Sequence, residues 1–185
     1  LNMITKTKYV TYRSCPRCYY YLMNNKDQAK ALDENKKKRI NDGFKVNNFA
    51  YKLFNNVAFV KKDFKIVNEK LQVEITKNLL KNKSINIAEA SFIYDDLFCA
   101  VDVLVKDDDV YNIYEIKASN DIDDKMEEFS ADVAFQKYVL EKCGLKINHC
   151  YIVHLNKNFV KHGSIKADEL FLVDCIDKDA QFNLE

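Results

Sequence analysis

The sequence predicts an α/β domain in which helices come first and a mixed β-sheet follows. Three observations lead to this expectation. Residues 1–83 are mostly polar segments with helical periodicity. Residues 85–118 contain three alternating apolar runs in succession, which is the pattern of a β-meander. Residues 110–155 have the order strand, helix, strand, and the right-handed crossover that this order implies makes the two strands parallel.

The N-terminal helices are predicted from capping residues and apolar stripes. Thr5 or Thr11 can cap a short helix, and Pro16 suits the first turn of the next one. Apolar residues at helical spacing indicate two longer helices further along. The predicted elements are a helix from Pro16 to about Met23, a polar helix at 27–41 ending near Gly43, an apolar-striped helix at 44–55, a short strand at 57–60 and a helix at 64–83.

The sheet is predicted from alternating apolar residues and from acidic turns. Asp95-Asp96 and Asp107-Asp108-Asp109 punctuate the apolar runs, and Gly144 is placed to end the crossover helix. The predicted elements are strands at 85–94, 97–106 and 110–118, a helix at 123–143, a strand at 147–155 and a final short strand or edge at 170–176.

Composition places the chain among globular proteins. It has 185 residues, of which 48% are hydrophobic and 31% charged, and this balance excludes an intrinsically disordered chain. No apolar run approaches the ~20 residues that cross a bilayer, and the first twelve residues are polar. We expect a soluble cytoplasmic protein without a membrane partner. We expect one domain over 1–185, with a helical part at 1–56 and a core at 57–185.

Positive charge is concentrated at the N-terminus. The net charge is +1, yet residues 1–40 contain ten Lys and Arg against three Asp and Glu, which leaves −6 for the rest. Such a basic segment suits phosphate binding, and a solvated helix is the alternative. Tyrosines beside Arg13 and Arg17 can stack on single-stranded nucleic acid, or belong to a packed helix with an exposed aromatic end. The candidate nucleic-acid ligands are Lys6, Arg13, Arg17 and Tyr20.

The six cysteines divide into a close pair and four separate residues. Cys15 and Cys18 form a CxxC pair that can hold a metal or act as a redox couple, but the second pair that a four-cysteine zinc site needs is missing. Whether this pair binds metal stays open. The other four lie in apolar strands or at a helix end, where cysteine is usually a small buried hydrophobic residue. They are Cys99, Cys143, Cys150 and Cys175.

Acidic residues inside predicted core strands are the strongest sign of chemistry. The turn at 107–109 folds the strand of Asp102 back along the strand of Glu115 and Lys117, which share one face. Two carboxylates ~4 Å apart repel by about 4 kcal/mol at an effective dielectric constant of 20, so a proton, a cation or a metal must offset the repulsion. With the Ile116 carbonyl they would form an open Mg²⁺ site. Lys117 is then placed to act on a metal-bound water or on a phosphate, which is the arrangement for metal-assisted phosphodiester hydrolysis.

Asp102 followed by Glu115-Ile116-Lys117 resembles the D…ExK signature of the PD-(D/E)XK nuclease superfamily. Glu89 and Gln136 resemble the preceding acid and the following helical glutamine of its RecB-like group. The chain is also similar throughout to the N-terminal region of an uncharacterised family of bacterial proteins with a RecB-like domain. Matching stretches include Ser14-Cys-Pro-Arg, Glu89-Ala-Ser-Phe, Val101-Asp-Val-Leu-Val, Tyr114-Glu-Ile-Lys-Ala-Ser and Tyr151-Ile-Val-His-Leu-Asn.

The resemblance implies a restriction-endonuclease-like core and a Mg²⁺- or Mn²⁺-dependent nuclease that acts on DNA more readily than RNA. It implies metal ligands at Glu89, Asp102, Glu115 and the carbonyl of Ile116. It implies catalytic roles for Asp102, Glu115, Lys117 and Gln136.

Three features depart from the pattern of the group. Asn47 stands where many relatives have a metal-binding His four residues after a Gly, and Leu140 stands where a Tyr follows the Gln. Cys15 resembles the first ligand of an iron–sulfur cluster, but the later cysteine triplet is missing, so we expect no such cluster in this chain. If the chain is a fragment, a further domain or a partner protein would complete it.

Each candidate also has an ordinary structural interpretation. Asp102 and Glu115 could be strand-end residues in solvent, Lys117 a surface lysine, Glu89 the partner of a lysine and Gln136 a helix-surface amide. His149 and His154 are expected to be structural. Two other functions therefore stay open: a nuclease-fold module that binds nucleic acid or protein without cutting, and a zinc or redox protein that uses Cys15 and Cys18.

Overall fold

A mixed β-sheet with helices on both faces forms the centre of the fold, in a computed structural model that describes residues 3–25, 33–61, 68–82 and 85–181. Within these ranges seven strands belong to one sheet. The strands are β1 (Ile4–Thr5), β2 (Val57–Phe59), β3 (Asn86–Tyr94), β4 (Leu97–Asp107), β5 (Val110–Lys117), β6 (Ile147–Leu155) and β7 (Phe171–Cys175). The helices are α1 (Lys6–Ser14), α2 (Pro16–Asn24), α3 (Glu34–Ala50), α4 (Glu69–Leu79), α5 (Met126–Lys142) and α6 (Ala167–Leu170), with 3₁₀ turns at Tyr51–Leu53 and Asp123–Lys125.

The strand order is β2-β3-β4-β5-β6-β7. Strands β3, β4 and β5 form an antiparallel meander, and α5 then leads to β6, which is parallel to β5. Strand β7 returns antiparallel to β6, and β2 lies parallel to β3 at the other side of the sheet. The predicted α/β class, the meander, the crossover and the parallel strand are therefore confirmed.

The sheet separates two hydrophobic layers. Val133 and Leu140 of α5 pack with Ile113 of β5 in the first layer, where partly buried residues of α1 and α4 join them. Ala50 of α3 packs with Ile116 of β5 in the second layer. Since successive side chains of a strand point to opposite faces, β5 contributes to both layers. The helices thus cover the sheet on both sides, and the two faces of β5 are buried.

The crossover helix α5 ends in a glycine cap, as predicted. Gly144 has a φ of +88°, a left-handed conformation that costs a residue without a side chain little. Its N–H bonds to the Glu141 carbonyl, and the Leu145 N–H bonds to the Leu140 carbonyl, which is the Schellman pattern. This cap turns the chain directly into β6.

Strand β1 is a short element that the sequence pattern does not reveal. It pairs in parallel with Leu97 and Phe98 of β4, whose other edge is occupied by β3. Strand β5 pairs with residues 103–107 of β4. Strand β1 therefore lies along the same edge of β4 as β5, beyond the point where the pairing with β5 ends. The chain therefore enters α1 beside the last residues of β5.

The predicted helix boundaries near Gly43 are wrong. Helix α3 runs unbroken through Gly43 to Ala50, so the two helices predicted at 27–41 and 44–55 are one. A glycine in a helix costs about 1 kcal/mol relative to alanine. Burial of residues such as Phe49 and Ala50 against the sheet outweighs that cost, since burying a large apolar side chain contributes about 1.5–3 kcal/mol. Residues 27–32 of the predicted helix lie outside the described residues.

Two smaller boundaries also differ from prediction. Helix α4 begins at Glu69, capped by Asn68, and ends at Leu79, within the predicted range 64–83. Residues 64–67 and 83 of that range lie outside the described residues. Helix α2 is capped by the Cys15 thiol, which accepts a hydrogen bond from the Cys18 N–H, whereas Thr5 caps α1.

Burial separates the four isolated cysteines into two pairs. Cys99 and Cys150 are buried, as predicted, and burial raises the pKa of both thiols. The same prediction is wrong for Cys143 and Cys175, which are exposed. Cys143 caps the end of α5, and Cys175 ends an edge strand whose residues after Phe171 all face solvent.

None of the helices in the described parts of the chain combines the length and the apolar character that a membrane span needs.

Candidate active site

Three carboxylates occupy neighbouring positions on the three strands of the meander. The register pairs Ala88 with Val103 and Ala90 with Val101, so Glu89 and Asp102 lie between paired residues of β3 and β4. The pairing of β4 with β5 ends at Val103 and Tyr114, which are the direct neighbours of Asp102 and Glu115. The strand pairing therefore forms the acidic row that the sequence predicts for Asp102 and Glu115, and it adds Glu89.

The backbone is distorted where this row crosses β3 and β4. Glu89 has a φ of +59°, which is rare for a residue with a side chain. Ala88 and Ala90 flank Glu89 and pack in opposite hydrophobic layers, although regular alternation would place both on one face of the sheet. Val101 and Val103, which flank Asp102, also pack in opposite layers. The pairing register is the same on both sides, so no residue is inserted. Such conformations cost about 1–3 kcal/mol and concentrate at functional sites.

Glu115 is the centre of a network of hydrogen bonds and ion pairs. The Lys6 Nζ atom lies 2.9 Å from Oε1 and 3.0 Å from Oε2, and the Lys117 Nζ atom lies 2.9 Å from Oε1. Gln136 Nε2 donates to Oε2 at 2.8 Å. Glu115 is only 3% exposed. Although burial alone would raise its pKa, the two ammonium groups and these hydrogen bonds hold the pKa of Glu115 well below its usual range.

Asp132 on α5 is a member of this network that the sequence analysis missed. Its Oδ2 atom accepts a hydrogen bond from Lys117 Nζ at 2.6 Å, and its Oδ1 atom accepts one from Gln136 Nε2 at 3.2 Å. Lys117 thus bridges Glu115 and Asp132. Despite the desolvation of its ammonium group, these two carboxylates raise the pKa of Lys117, so Lys117 stays charged at neutral pH. Asp132 and Gln136 are four residues apart and therefore share one face of α5. That spacing was the signal in the sequence that could have placed Asp132 beside Gln136.

Asp102 is buried and has a different environment. Its Oδ2 atom accepts a hydrogen bond from the Ile116 N–H at 2.8 Å. Burial and repulsion from Glu115 and Glu89 raise the pKa of Asp102 to about 7, against the opposing effects of Lys6 and of this hydrogen bond. The ionised form of Asp102 is therefore unfavourable beside the other two carboxylates of the row. A proton on Asp102, or a cation beside it, would offset the repulsion from Glu115 and Glu89.

Glu89 lies at the far side of the row. Its carboxylate forms an ion pair with Lys61 at 3.1 Å and accepts a hydrogen bond from the Tyr51 hydroxyl at 3.4 Å. Burial and the charges of Glu89 and Asp102 raise the pKa of the Tyr51 phenol, so Tyr51 stays a hydrogen-bond donor. The predicted lysine partner of Glu89 exists, and Glu89 is also electrostatically coupled to Asp102.

The charges of the cluster do not cancel. Four carboxylates, of Glu89, Asp102, Glu115 and Asp132, face the three ammonium groups of Lys6, Lys61 and Lys117. One polar atom is also unsatisfied: the side-chain oxygen of Gln136 is buried and has no hydrogen-bond partner. The cluster therefore has one surplus negative charge when Asp102 is ionised, is neutral when Asp102 is protonated, and has one free buried acceptor.

The carboxylates of Glu89, Asp102 and Glu115 are on neighbouring strands, but their oxygen atoms are not close enough together to coordinate one ion without rearrangement. Among the described residues, the three carboxylates of the row do not form a group with all ligand atoms within 4.8 Å of one another. The Lys6 ammonium instead holds both oxygens of Glu115. A divalent ion that used Glu115 as a ligand would have to displace Lys6.

A cleft leads to the cluster from the helical side. It has a volume of about 390 Å³ and is lined by residues of α1, α2 and α5, including Lys6, Asp132 and both cysteines of the CxxC pair. The Cys15 and Cys18 sulfur atoms are 2.6 Å apart. Two members of the cluster, Lys6 and Asp132, thus line a cleft on the side of the N-terminal helices.

The candidate nucleic-acid ligands separate into two groups. Lys6 belongs to the acidic cluster, and its side chain is only 24% exposed. Tyr20 on α2 is 61% exposed, and the Arg17 guanidinium lies 5.8 Å from the ring of Tyr21. Arg13 at the end of α1 lies 3.8 Å from Glu127 of the same chain. An exposed aromatic and basic surface therefore exists on α2, next to the helix that carries Lys6.

The two histidines of β6 both lie beside a carboxylate. His154 is buried, and its Nε2 atom is 2.8 Å from Oδ2 of Asp174 on β7. His149 Nδ1 is 2.6 Å from Oδ2 of Asp177. Both therefore connect β6 to the last strand or to the residues that follow it, and neither belongs to the acidic cluster.

No protein-family model and no curated protein matches this chain. The likeness to PD-(D/E)XK nucleases therefore stays a prediction that rests on the residues and their geometry.

Proposed function

We propose that the chain is a divalent-metal-dependent nuclease of the PD-(D/E)XK superfamily, close to its RecB-like group, that hydrolyses phosphodiester bonds in DNA. One observation carries the proposal. Three of the residues that the sequence singles out, Glu115, Lys117 and Gln136, make direct contacts in one buried cluster, and Asp102 is coupled to it. The order of meander, crossover helix and parallel strand is the one expected for a restriction-endonuclease-like core.

The donors of the cluster fit Mg²⁺ or Mn²⁺. Both ions prefer oxygen ligands, which Asp102, Glu115 and the Ile116 carbonyl supply, with Glu89 available directly or through water. The surplus negative charge and the raised pKa of Asp102 favour a cation at this position. The free oxygen of Gln136 can accept a hydrogen bond from an ion-bound water. Bound there, the ion would polarise the phosphate and lower the pKa of the attacking water.

The protein's own residues would orient the substrate and stabilise charge. Lys117 stays protonated, so it acts as a positive charge beside the scissile phosphate and not as a base. Asp132 is a positioning residue, because its hydrogen bond fixes the Lys117 ammonium. Gln136 donates to both Glu115 and Asp132 and holds the two carboxylates at a fixed separation.

A cleavage assay tests the proposal directly. Labelled single- and double-stranded DNA and RNA are incubated with the full chain and Mn²⁺, beside Lys117→Met and the control Lys166→Met, whose lysine forms an exposed ion pair with Glu169. We expect cleavage of DNA by the wild type and by the control. Loss of a charge-stabilising group costs about 10²–10³-fold in rate, and we expect that loss for Lys117→Met.

Two outcomes would contradict the proposal. One is that the wild type, shown to be folded by circular dichroism, cuts none of the four substrates. The other is that Lys117→Met cuts as fast as Lys166→Met.

The α2 surface is expected to bind the DNA strand. An aromatic side chain that stacks on a base contributes about 1–3 kcal/mol, so Tyr20→Ala should weaken binding of single-stranded DNA by at least fivefold. Arg17→Ala should weaken it and reduce its salt dependence, because a phosphate contact releases a counterion. Fluorescence anisotropy in EDTA measures binding without cleavage. Phe44→Ala and Arg39→Ala on α3 are the matched exposed controls, and equal losses in the controls would exclude a specific role for α2.

A second candidate function is favoured by the position of Lys6. Since its ammonium holds both oxygens of Glu115, the cluster can be neutral enough to persist without a metal. The chain would then be a nuclease-fold module that binds nucleic acid or a protein without cutting. Titration calorimetry separates the two functions, because the module would bind single-stranded DNA but show no Mn²⁺ binding that depends on Asp102.

A further inference from the structure

Three side chains with different donor atoms meet where β6 and β7 pair at the edge of the sheet. They are His149 on β6, Cys175 at the end of β7 and Asp177 just beyond it. One ligand atom from each lies within 4.8 Å of the other two. Among the residues that the structure describes, this is the one group of three His, Cys, Asp or Glu side chains with that property.

Strand pairing explains why these residues meet. Tyr151 is paired with Cys175 in the antiparallel register of β6 and β7, and the same register continued by two residues places His149 opposite Asp177. Cys175 shares the face of its partner Tyr151 and therefore that of His149, two residues away on β6. Asp177 lies in the turn that follows β7, and its side chain is held against β6 by the Cys150 N–H.

The carboxylate is already oriented toward the histidine. The Cys150 N–H donates to Asp177 Oδ1 at 2.7 Å, which leaves Oδ2 at 2.6 Å from His149 Nδ1. The backbone of His149 is itself held by a 3.0 Å hydrogen bond from its N–H to Asn112. Partial burial alone would raise the pKa of Asp177, but the hydrogen bonds from His149, Cys150 and Cys175 hold it below its ordinary value, so the carboxylate is ionised.

We propose that His149, Cys175 and Asp177 form a binding site for a transition-metal dication of the Zn²⁺ type, with solvent at the remaining coordination position. The site shares no residue with the acidic cluster around Glu115.

The donor set selects the class of ion. A thiolate, an imidazole and a carboxylate together suit Zn²⁺ or Co²⁺, whereas Mg²⁺ and Ca²⁺ prefer oxygen ligands alone. Three protein ligands with a fourth position open to water is a common arrangement for zinc. Cys175 is exposed, so the fourth position can be reached by solvent.

Binding requires a small rearrangement and the release of a proton. Zinc bonds of about 2.0–2.3 Å in a tetrahedron separate neighbouring ligand atoms by about 3.3–3.7 Å. The 2.6 Å contact between His149 Nδ1 and Asp177 Oδ2 must therefore lengthen by about 0.7 Å or more to admit the ion. The Cys175 thiol loses its proton to solvent, so the affinity rises with pH. No electron transfer is involved.

Cobalt titration tests the site, because Co²⁺ replaces Zn²⁺ and a thiolate ligand gives it a strong charge-transfer absorption. The full chain carries Cys15→Ser and Cys18→Ser as background, which removes the CxxC pair as a competing thiol site. We expect the absorption to saturate at one equivalent of Co²⁺ and to disappear when Zn²⁺ is added. Cys175→Ser should abolish it, and His149→Ala and Asp177→Ala should each weaken binding by about tenfold or more.

Cys143→Ser is the matched control, since Cys143 is also exposed but lies outside the group. The proposal is overturned if the background protein gives no charge-transfer absorption, if Cys175→Ser keeps it, or if Cys143→Ser removes it. Alkylation of the background protein, mapped by mass spectrometry, gives a second measurement that needs no substitution at Cys175. Zn²⁺ should protect Cys175 and not Cys143, and equal alkylation of Cys175 with and without Zn²⁺ would also overturn the proposal.

Discussion

Asp102→Asn is expected to eliminate Mn²⁺-dependent DNA cleavage and at the same time to make the folded protein more stable. Asparagine has nearly the same shape as aspartate, and its side-chain oxygen can still accept the hydrogen bond from the Ile116 N–H. It cannot carry the negative charge that a metal ligand needs. It also removes the repulsion from Glu115 and Glu89 that raises the pKa of Asp102. A residue kept for folding alone would show the opposite result for stability.

The gain in stability has a defined pH dependence. The pKa of Asp102 is about 7 in the folded protein, against 3.8 for an ordinary aspartate. Between these values the folded state holds a proton that the unfolded state has released, so wild-type stability falls as pH rises from about 4 to 7. Each tenfold difference in proton affinity between the two states corresponds to about 1.4 kcal/mol, so ionised Asp102 destabilises the folded state by about 4 kcal/mol above pH 7. Asp102→Asn should remove this part of the slope and be most stabilising above pH 7.

Urea unfolding at pH 5 and pH 8, combined with the cleavage assay, measures both effects. Asp109→Asn, an exposed aspartate of the β4–β5 turn, is the control for the loss of one negative charge. The acidic row would not be a functional site if Asp102→Asn kept wild-type cleavage. A loss of stability at pH 8 would show that the charge of Asp102 supports the fold.

Lys6→Met is expected to destabilise the metal-free protein and to make it respond more strongly to Mn²⁺. Without the Lys6 ammonium, Glu115 and Asp132 keep Lys117 as their shared cation. Breaking a buried ion pair costs about 3–5 kcal/mol, and the partial exposure of Lys6 reduces the expected loss to about 1–3 kcal/mol. Methionine removes the Lys6 contact from each oxygen of Glu115 while Lys117 and Gln136 keep theirs, so a dication meets less competition and the affinity for Mn²⁺ should rise.

Unfolding curves with and without Mn²⁺, together with titration calorimetry, test this expectation. Lys45→Met breaks an exposed ion pair with Asp42 and should change stability by less than about 1 kcal/mol, with no change in its response to Mn²⁺. If Mn²⁺ stabilises Lys6→Met no more than it stabilises the wild type, Lys6 and the metal do not compete for Glu115.

Local pattern was enough to predict the sheet and part of the site. Alternation of apolar residues located the meander, and the turn at 107–109 fixed the register that places the strand of Asp102 beside the strand of Glu115. Strand periodicity also placed Glu115 and Lys117 on one face, where Lys117 Nζ contacts Glu115. These features depend on residues close together in the sequence, so periodicity captures them.

Other members of the cluster depend on contacts between distant segments. Lys6 reaches Glu115, 109 residues later, because a two-residue strand pairs with β4, and no periodicity marks so short a strand. Asp132 is paired through tertiary packing of α5 on the sheet. The left-handed backbone of Glu89 also has no signal in the sequence. Glycine or asparagine is the usual residue in that conformation, and this chain has a glutamate. The exposure of Cys175 likewise follows from the edge position of β7, which composition does not reveal.

The pairing of β1 with β4 makes the first turn of α1 and the ionic state of the cluster thermodynamically linked. Lys6 directly follows β1, so the ion pair with Glu115 and the docking of this segment stabilise each other. A dication that takes over Glu115 removes one of the two attachments of the segment. If the bound dication weakens the docking of the segment on β4 by a given factor, then undocking of the segment must strengthen the binding of the dication by that same factor.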